Sequence, residues 1–258
     1  MRRREIQFDP NSLPAEILSR LGKVKFYDSS YSEAVKTIYI SGDIEAFLKI
    51  GTAGSLYRES RVQDYLFKYG LSPKSIAFTT YKGFDYLLSS SLDGENAISE
   101  NHLADPHKLA AAMGRYLRHL HSLSLEGCPF PERNAEMISE SRKNIAEGYF
   151  DPQILKEGLD SAADSFEKIS NLAKDDVIIH GDYCLPNIIM KDFTLVGFVD
   201  WGGCGIGDRH YDLFWGIWSL NFNLGSYRFT DSFLTAYGKK DIDPVRLKLC
   251  RYLAAFTR

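Results

Sequence analysis

The stretch that decides the fold is VIIHGDYCLPN at residues 177–187, in which an apolar run leads directly into polar residues. A second stretch, LVGFVD at residues 195–200, repeats this arrangement and ends on Asp200. Asp, Asn and Gly are common in turns, but acids placed directly after buried-looking strands favour a functional site over turns alone. Asp182 lies only five residues before Asn187, so one tight loop can direct both side chains into the same cavity.

These side chains suit one kind of chemistry. Carboxylate and amide oxygens are the ligands that a hard cation such as Mg²⁺ prefers, and Asn187 and Asp200 can each supply one. Phosphoryl transfer needs a metal on the phosphate oxygens and a carboxylate that accepts the proton of the attacking hydroxyl. The pattern therefore predicts a phosphotransferase in which Asp182 is the catalytic carboxylate.

The segments around this motif predict an α+β fold in two lobes. Short runs rich in β-branched and aromatic residues predict strands at 23–27, 34–40, 46–50, 75–80 and 84–89, with one helix near 56–69. Further along, helical apolar spacing predicts helices near 109–120, 139–147, 152–172, 209–220 and 244–256. We therefore expect a small β-rich lobe with one key helix over residues 1–89 and a larger, mostly helical lobe over 90–258. The hinge falls near 88–94, and a cleft between two lobes is a usual place for a ligand.

Composition excludes several other classes of protein. The 258 residues carry a formal net charge of −3, so no basic excess is available to hold a nucleic-acid backbone. The four cysteines show no CxxC spacing, which favours neither a zinc site nor a disulfide framework and fits a reducing cytosol. No apolar run approaches the roughly 18 residues of a membrane span, and no apolar segment follows the opening MRRR. We expect a cytoplasmic protein, and the sequence leaves its oligomeric state open.

The motifs also resemble a known family. HGDYCLPNII at 180–189 and FVDWGGCGIGDRHYDL at 198–213 are similar to the corresponding motifs of the aminoglycoside 3'-phosphotransferases, which belong to the kinase-like superfamily. The resemblance implies a bilobal protein-kinase-like fold with the nucleotide between the lobes, ATP as phosphate donor, with GTP also open, and Mg²⁺. It assigns catalysis to Asp182 and metal binding to Asn187 and Asp200, with His180 buttressing the loop.

The resemblance continues into the first lobe, where AFLK at 46–49 looks like the strand that carries the phosphate-binding lysine, Lys49. Ten residues further on, Glu59 shares a helical face with apolar residues. A carboxylate on such a face is costly unless it is paired, and Lys49 is the partner that the family pattern implies.

The same resemblance implies further nucleotide contacts. Phe47 matches an aromatic residue that stacks on the adenine, although simple core packing remains the alternative from sequence alone. Ser32 is the expected contact from a phosphate-covering loop at 29–34, which lacks glycine. The backbone groups of Ser90 and Leu92 match the hinge that binds the adenine edge.

The family pattern breaks at the positions that hold the acceptor. Aminoglycosides are polycations that the family binds with clustered carboxylates, whereas this chain has Phe222 and Asn223 in one cluster and Ala254 and Ala255 in the other. We therefore expect a small-molecule hydroxyl acceptor that is either an aminoglycoside or a less cationic compound, with classical aminoglycosides as poor acceptors.

Two other functions stay open at this point. A non-catalytic nucleotide-binding or regulatory module on the same fold would not need the carboxylate of Asp182. A metal-dependent hydrolase built on His180, Asp182 and Asp200 would usually need more histidine ligands than these motifs contain. Cys184 has no evident partner that would lower its pKa, so we expect it to be a packing residue.

Overall fold

The computed structural model describes residues 4–31 and 33–257, and the chain forms two compact units. The first unit comprises Met1–Asp93 and Val196–Gly202, and the second comprises Gly94–Leu195 and Gly203–Arg258. Ser32 lies outside the described residues, so its expected contact with phosphate has no structural account. The segment that carries Asp200 belongs to the first unit, together with the strands near the N-terminus. The functional roles given to residues 1–89 and 90–258 stay predictions.

The first unit is built on an antiparallel sheet of six strands in the order β1-β2-β3-β4-β6-β5. Its elements in chain order are β1 Arg4–Ile6, α1 Ala15–Leu18, β2 Val24–Asp28, β3 Lys36–Gly42, β4 Ala46–Thr52, α2 Tyr57–Phe67, β5 Ser75–Tyr81 and β6 Phe84–Ser90. Because successive side chains of a strand point to opposite faces, β4 places Ala46 and Leu48 in the apolar core and turns Lys49 the other way.

The second unit is mainly helical. Its elements are β7 Glu95–Asn96, α3 Glu100–Leu103, α4 Pro106–Leu120, α5 Arg133–Ala146, α6 Leu159–Ile169, β8 Val177–Ile179, β9 Ile188–Lys191, β11 Gly205–Gly207, α7 Arg209–Leu224, α8 Thr230–Tyr237 and α9 Pro244–Phe256, while β10 Thr194–Phe198 leads out of this unit into the first. Helices α5, α6, α7 and α9 share one apolar core. Helices α4 and α8 cross closely at Gly114, where a Cβ atom would lie 2.2 Å from the carbonyl oxygen of Phe233.

Most of the expected elements are present. The five expected strands of the first lobe lie within two residues of β2 to β6, and the expected helix at 244–256 coincides with α9. The helix expected at 152–172 is wrong in its first part, because α6 begins only at Leu159. Asp151 forms a turn there by accepting the backbone N–H of Gln153 at 2.7 Å. Ile154 is buried in the apolar core although it lies in this turn, so its apolar spacing does not indicate a helix. Within the described residues, no helix is long and apolar enough to span a membrane.

Candidate active site

The first unit contains a buried ion pair between a strand and a helix. Nζ of Lys49 on β4 lies 2.7 Å from Oε1 and 2.9 Å from Oε2 of Glu59 on α2. The Glu59 side chain is only 5% exposed and that of Lys49 18%. A removal of either partner would leave the other charge poorly solvated, so the pair fixes α2 against the sheet. The ion pair that the sequence predicts is present.

Two more polar side chains extend this pair into the sheet. Gln63, one turn further along α2, donates to Oε1 of Glu59 at 3.4 Å. Its own Oε1 accepts the hydroxyl of Ser89 on β6 at 2.7 Å. The buried carboxylate therefore has hydrogen-bonding partners on β4 and α2, and Gln63 links it to Ser89 on β6.

Asp200 completes this group within the first unit. Its carboxylate accepts a hydrogen bond from the ammonium of Lys49 and is 46% exposed. The residue has a φ of +64°, a left-handed conformation that Asp tolerates better than most residues and that is often found at functional sites. Its position at the end of β10 follows from the apolar strand that the sequence shows.

Two opposing effects set the pKa of Lys49. Burial lowers the pKa of its ammonium, but the carboxylates of Glu59 and Asp200 outweigh burial and hold this pKa above the usual value. Burial also pushes the pKa of Glu59 upward while Lys49 pulls it down. The two short contacts are those of a charged pair, an ammonium beside a carboxylate.

The expected adenine contacts are placed as follows. Phe47 lies two residues before Lys49 on the same face of β4 and packs its ring 5.2 Å from that of Tyr39. Its side chain is half-buried, so part of the ring faces away from the core. The backbone N–H of Ser90 already donates to the carbonyl of Lys74 at 2.9 Å. The roles of Phe47, Ser90 and Leu92 in nucleotide binding stay predictions.

The second unit carries the loop between β8 and β9. Nδ2 of Asn187 donates to Oδ2 of Asp182 at 2.8 Å and to the Asp182 carbonyl at 3.0 Å. The backbone N–H of Asp182 donates to Nδ1 of the buried His180 at 3.3 Å. The loop therefore brings Asp182 and Asn187 together, as their spacing predicts. Asp200 lies in the other unit, so its joint action with Asn187 on a metal stays a prediction.

One carboxylate of α7 holds the start of this loop. Oδ2 of Asp212 accepts the backbone N–H of His180 at 2.6 Å, and Oδ1 accepts that of Gly181 at 2.9 Å. Gly181 has a φ of +86°, and a Cβ atom there would lie 2.1 Å from the carbonyl oxygen of Gly203. Only glycine fits this crossing of two backbone segments.

A second residue of α7 holds the middle of the loop. The hydroxyl of Ser219 accepts the backbone N–H of Leu185 at 2.9 Å. Asp212 and Ser219 are seven residues apart, two helical turns, so they lie on the same face of α7. Sequence reasoning missed both roles, although an Asp inside an apolar helix is the kind of residue that needs a buried partner.

Cys184 is a packing residue rather than a nucleophile. Burial, followed by the neighbouring carboxylate of Asp182, raises the pKa of its thiol well above the usual value. A thiol with a raised pKa stays protonated at neutral pH. The sequence-based expectation for this residue is confirmed.

The residues at the expected acceptor positions differ in burial and in their contacts. Ala254 and Ala255 are buried in the apolar core on α9, so their side chains do not line a surface. The interpretation of these two alanines as lost acceptor contacts is therefore wrong. Phe222 is 67% exposed and stacks on Trp218 with ring centroids 5.0 Å apart, whereas Asn223 turns its amide to the Ser219 carbonyl at 2.8 Å.

The fold is that of a kinase-like phosphotransferase. Residues 24–250 match the model of the phosphotransferase enzyme family. A probable aminoglycoside 3'-phosphotransferase of Lactococcus lactis subsp. lactis is 33% identical over 250 residues, which are 95% of each chain.

Solved structures agree on the fold. A type VIII aminoglycoside-3'-phosphotransferase has a TM-score of 0.76 and 22% identity, with 92% of this chain and 94% of that one covered. An aminoglycoside phosphotransferase from Streptomyces rimosus, solved with ADP and streptomycin, has a TM-score of 0.74 and 21% identity, with 96% and 98% covered.

This chain belongs to the phosphotransferase enzyme family. The predicted α+β kinase-like fold and the predicted phosphotransferase class are confirmed.

Proposed function

We propose that the protein transfers the γ-phosphate of ATP, with GTP as a possible donor, to a hydroxyl group of a small molecule. The observation that carries this proposal is that each unit holds a group of polar side chains that phosphoryl transfer can use. Lys49, Glu59 and Asp200 form one connected group, and Asp182 and Asn187 form another. Phosphoryl transfer uses positioning and electrostatic stabilisation, and these side chains supply both.

Each residue has a stated role in this proposal. Lys49, held by Glu59, binds phosphate oxygens of the nucleotide. Asp182 accepts the proton of the attacking hydroxyl. Mg²⁺ would be held by Asn187 and Asp200, and when bound it neutralises charge on the phosphate oxygens. The donor set fits this ion, because both side chains offer the oxygen ligands that Mg²⁺ prefers.

The two alternative functions explain less of the structure. A hydrolase would use His180 as a metal ligand, but its ring is buried and Nδ1 accepts the Asp182 amide. Among the described residues, no group of three His, Cys, Asp or Glu side chains is arranged to hold a metal. A non-catalytic module would not need a carboxylate at Asp182, which here is held in place by Asn187.

The acceptor class has two candidates. The names of the relatives favour an aminoglycoside. The stack of the exposed Phe222 on the half-buried Trp218 favours an uncharged alcohol that carries a ring, because aromatic faces pack on rings and supply no carboxylate to an amine. Residues 213–224 of α7 contain no charged side chain, which also favours the second candidate.

One experiment tests the proposal. Labelled ATP and Mg²⁺ are incubated with a panel of kanamycin, neomycin, neutral glycosides and nucleosides, and the labelled products are separated. We expect label in at least one acceptor with the wild type and far less with Asp182→Asn. Label in none of the acceptors, with intact nucleotide binding, favours the non-catalytic module.

A further inference from the structure

The carboxylate of Asp212, which accepts amides of the loop before Asp182, also contacts a buried histidine, His121. His121 follows the last residue of α4, and its side chain is 1% exposed. Its Nε2 lies 3.1 Å from Oδ2 of Asp212, the same oxygen that accepts the His180 amide. Because a carboxylate oxygen accepts, Nε2 of His121 carries the hydrogen.

The other ring nitrogen of His121 has a partner on a different helix. Nδ1 lies 2.9 Å from the hydroxyl of Tyr237 on α8, and the two rings meet edge to face at 5.6 Å. Burial raises the pKa of Tyr237 to about 12, so its hydroxyl stays protonated at neutral pH. A neutral imidazole can therefore accept from Tyr237 and donate to Asp212 at the same time.

We propose that His121, supported by Tyr237, is a positioning residue for Asp182. Its hydrogen bond fixes the rotation of the Asp212 carboxylate, and the two oxygens of that carboxylate then accept the amides of His180 and Gly181. Those two amides directly precede Asp182 in the loop. A chain of hydrogen bonds thus runs from α8 through His121 and Asp212 to the two backbone amides that precede Asp182.

The first test measures the loop without any activity. Amide hydrogen exchange at His180 and Gly181 is followed by NMR in His121→Leu, His121→Gln and the wild type. Loss of a hydrogen bond to a carboxylate should speed exchange at both amides by about 10- to 100-fold in His121→Leu. Gln can place a donor near the Nε2 position, so His121→Gln should stay within about threefold of the wild type.

A matched control and a second variant complete this test. His107 also lies on α4 and contacts α8 through Ser232 at 2.9 Å, but it is exposed, so His107→Leu should change neither amide. Tyr237→Phe keeps the ring and removes only the hydroxyl, and it should also speed exchange at the same two amides. This variant serves as the test if His121→Leu does not fold. Equal acceleration at the amides of α9 would indicate general destabilisation and overturn the proposal.

The kinetic test rests on the proposed function. With labelled ATP and water as acceptor, His121→Leu should lower kcat by about tenfold or more and leave KM for ATP within about twofold. In an Asp182→Asn background the same change should cause no further loss, because His121 acts through Asp182. An equal loss in both backgrounds would overturn the proposal. If the wild type turns over ATP neither with water nor with any acceptor of the panel, the proposed function fails, and the exchange test still decides the role of His121.

Discussion

The side-chain amide of Asn187 donates to Oδ2 of Asp182 over 2.8 Å, across one turn of the loop between β8 and β9. Because its amide nitrogen faces Asp182, Oδ1 of Asn187 is directed away from that carboxylate. Under the proposed function, the two ends of one amide group would serve two purposes, orientation of Asp182 as the base and donation of an oxygen to a cation.

Asp182→Asn separates catalysis from nucleotide binding. Asn can present an oxygen to Asn187 at the same place, so the loop should keep its shape, but the proton acceptor is lost. We expect turnover to fall by roughly 10²–10⁴, the usual contribution of a positioned base, while affinity for ATP stays nearly constant. Turnover of an established acceptor measures the first effect and calorimetry the second. Unchanged turnover would remove Asp182 from its proposed role.

Lys49→Met should weaken both the fold and nucleotide binding. It leaves the carboxylate of Glu59 buried without its cation, which costs about 3–5 kcal/mol of unfolding free energy. Lys25→Met is the matched control, because Lys25 pairs with Glu5 on the same sheet and both side chains are more than half exposed. Such a surface pair contributes about 0–1 kcal/mol. Equal losses for the two variants in urea unfolding would contradict the buried-pair interpretation.

The sequence predicted the candidate site residues better than it predicted the residues that hold them in place. The spacing of Glu59 on an apolar helical face indicated that it needs a partner, and the family resemblance implied Lys49. The short separation of Asp182 and Asn187 indicated that these two lie together. Asp212 and Ser219 act through backbone amides of a loop that lies more than 25 residues away in sequence, and no local pattern records such contacts. The alanines on α9 were misinterpreted because the family motif shows residue types and gives no information about which side chains are buried.

Nucleotide binding should depend on Mg²⁺ and on Asp200. We expect tighter binding of a non-hydrolysable ATP analogue with Mg²⁺ than without it, because the ion neutralises phosphate charge near the carboxylate. Asp200→Ala should remove most of this difference. Asp64→Ala serves as control, because Asp64 is an exposed acid on α2 whose cation partner, Arg61, lies 4.0 Å away. Calorimetry that finds equal affinity with and without the ion would contradict the metal assignment.

Acid should destabilise the second unit through Asp208. Burial would raise the pKa of its carboxyl, but hydrogen bonds from His210 and Arg246 outweigh burial and hold this pKa below the ordinary 3.8. A lowered pKa adds stability that is present above 3.8 and is lost as the pH falls through the lower folded value. Arg246→Leu should therefore lower the unfolding free energy at pH 7 and flatten its fall below about pH 4, as measured by urea unfolding. A parallel fall in both proteins would argue against this role of Asp208.

Under the proposed function, a polycation would need acids near α7 and α9, where the family pattern places its acceptor contacts. After Asp212, residues 213–224 of α7 carry no charge, and α9 carries three cations and no acid. Two other acids that could compensate are already engaged. Asp151 closes a turn on Gln153, and Glu157 pairs with Arg251 at 2.6 Å. The diffuse net charge of −3 is screened by salt over about 8–10 Å and cannot replace a local carboxylate.

Classical aminoglycosides should therefore be poor acceptors. A hydrogen bond between charged groups contributes about 1.5–3 kcal/mol, so one lost contact lowers affinity by about 10- to 100-fold. Phe222→Glu should raise kcat/KM for kanamycin by about tenfold, since it places an acid on the exposed end of α7. Tyr227→Glu is the matched control, because Tyr227 is 64% exposed against 67% for Phe222 but lies beyond the end of α7. A wild-type kcat/KM near about 10⁶ M⁻¹s⁻¹ for kanamycin or neomycin at physiological salt would show that the aromatic pair does not exclude polycations.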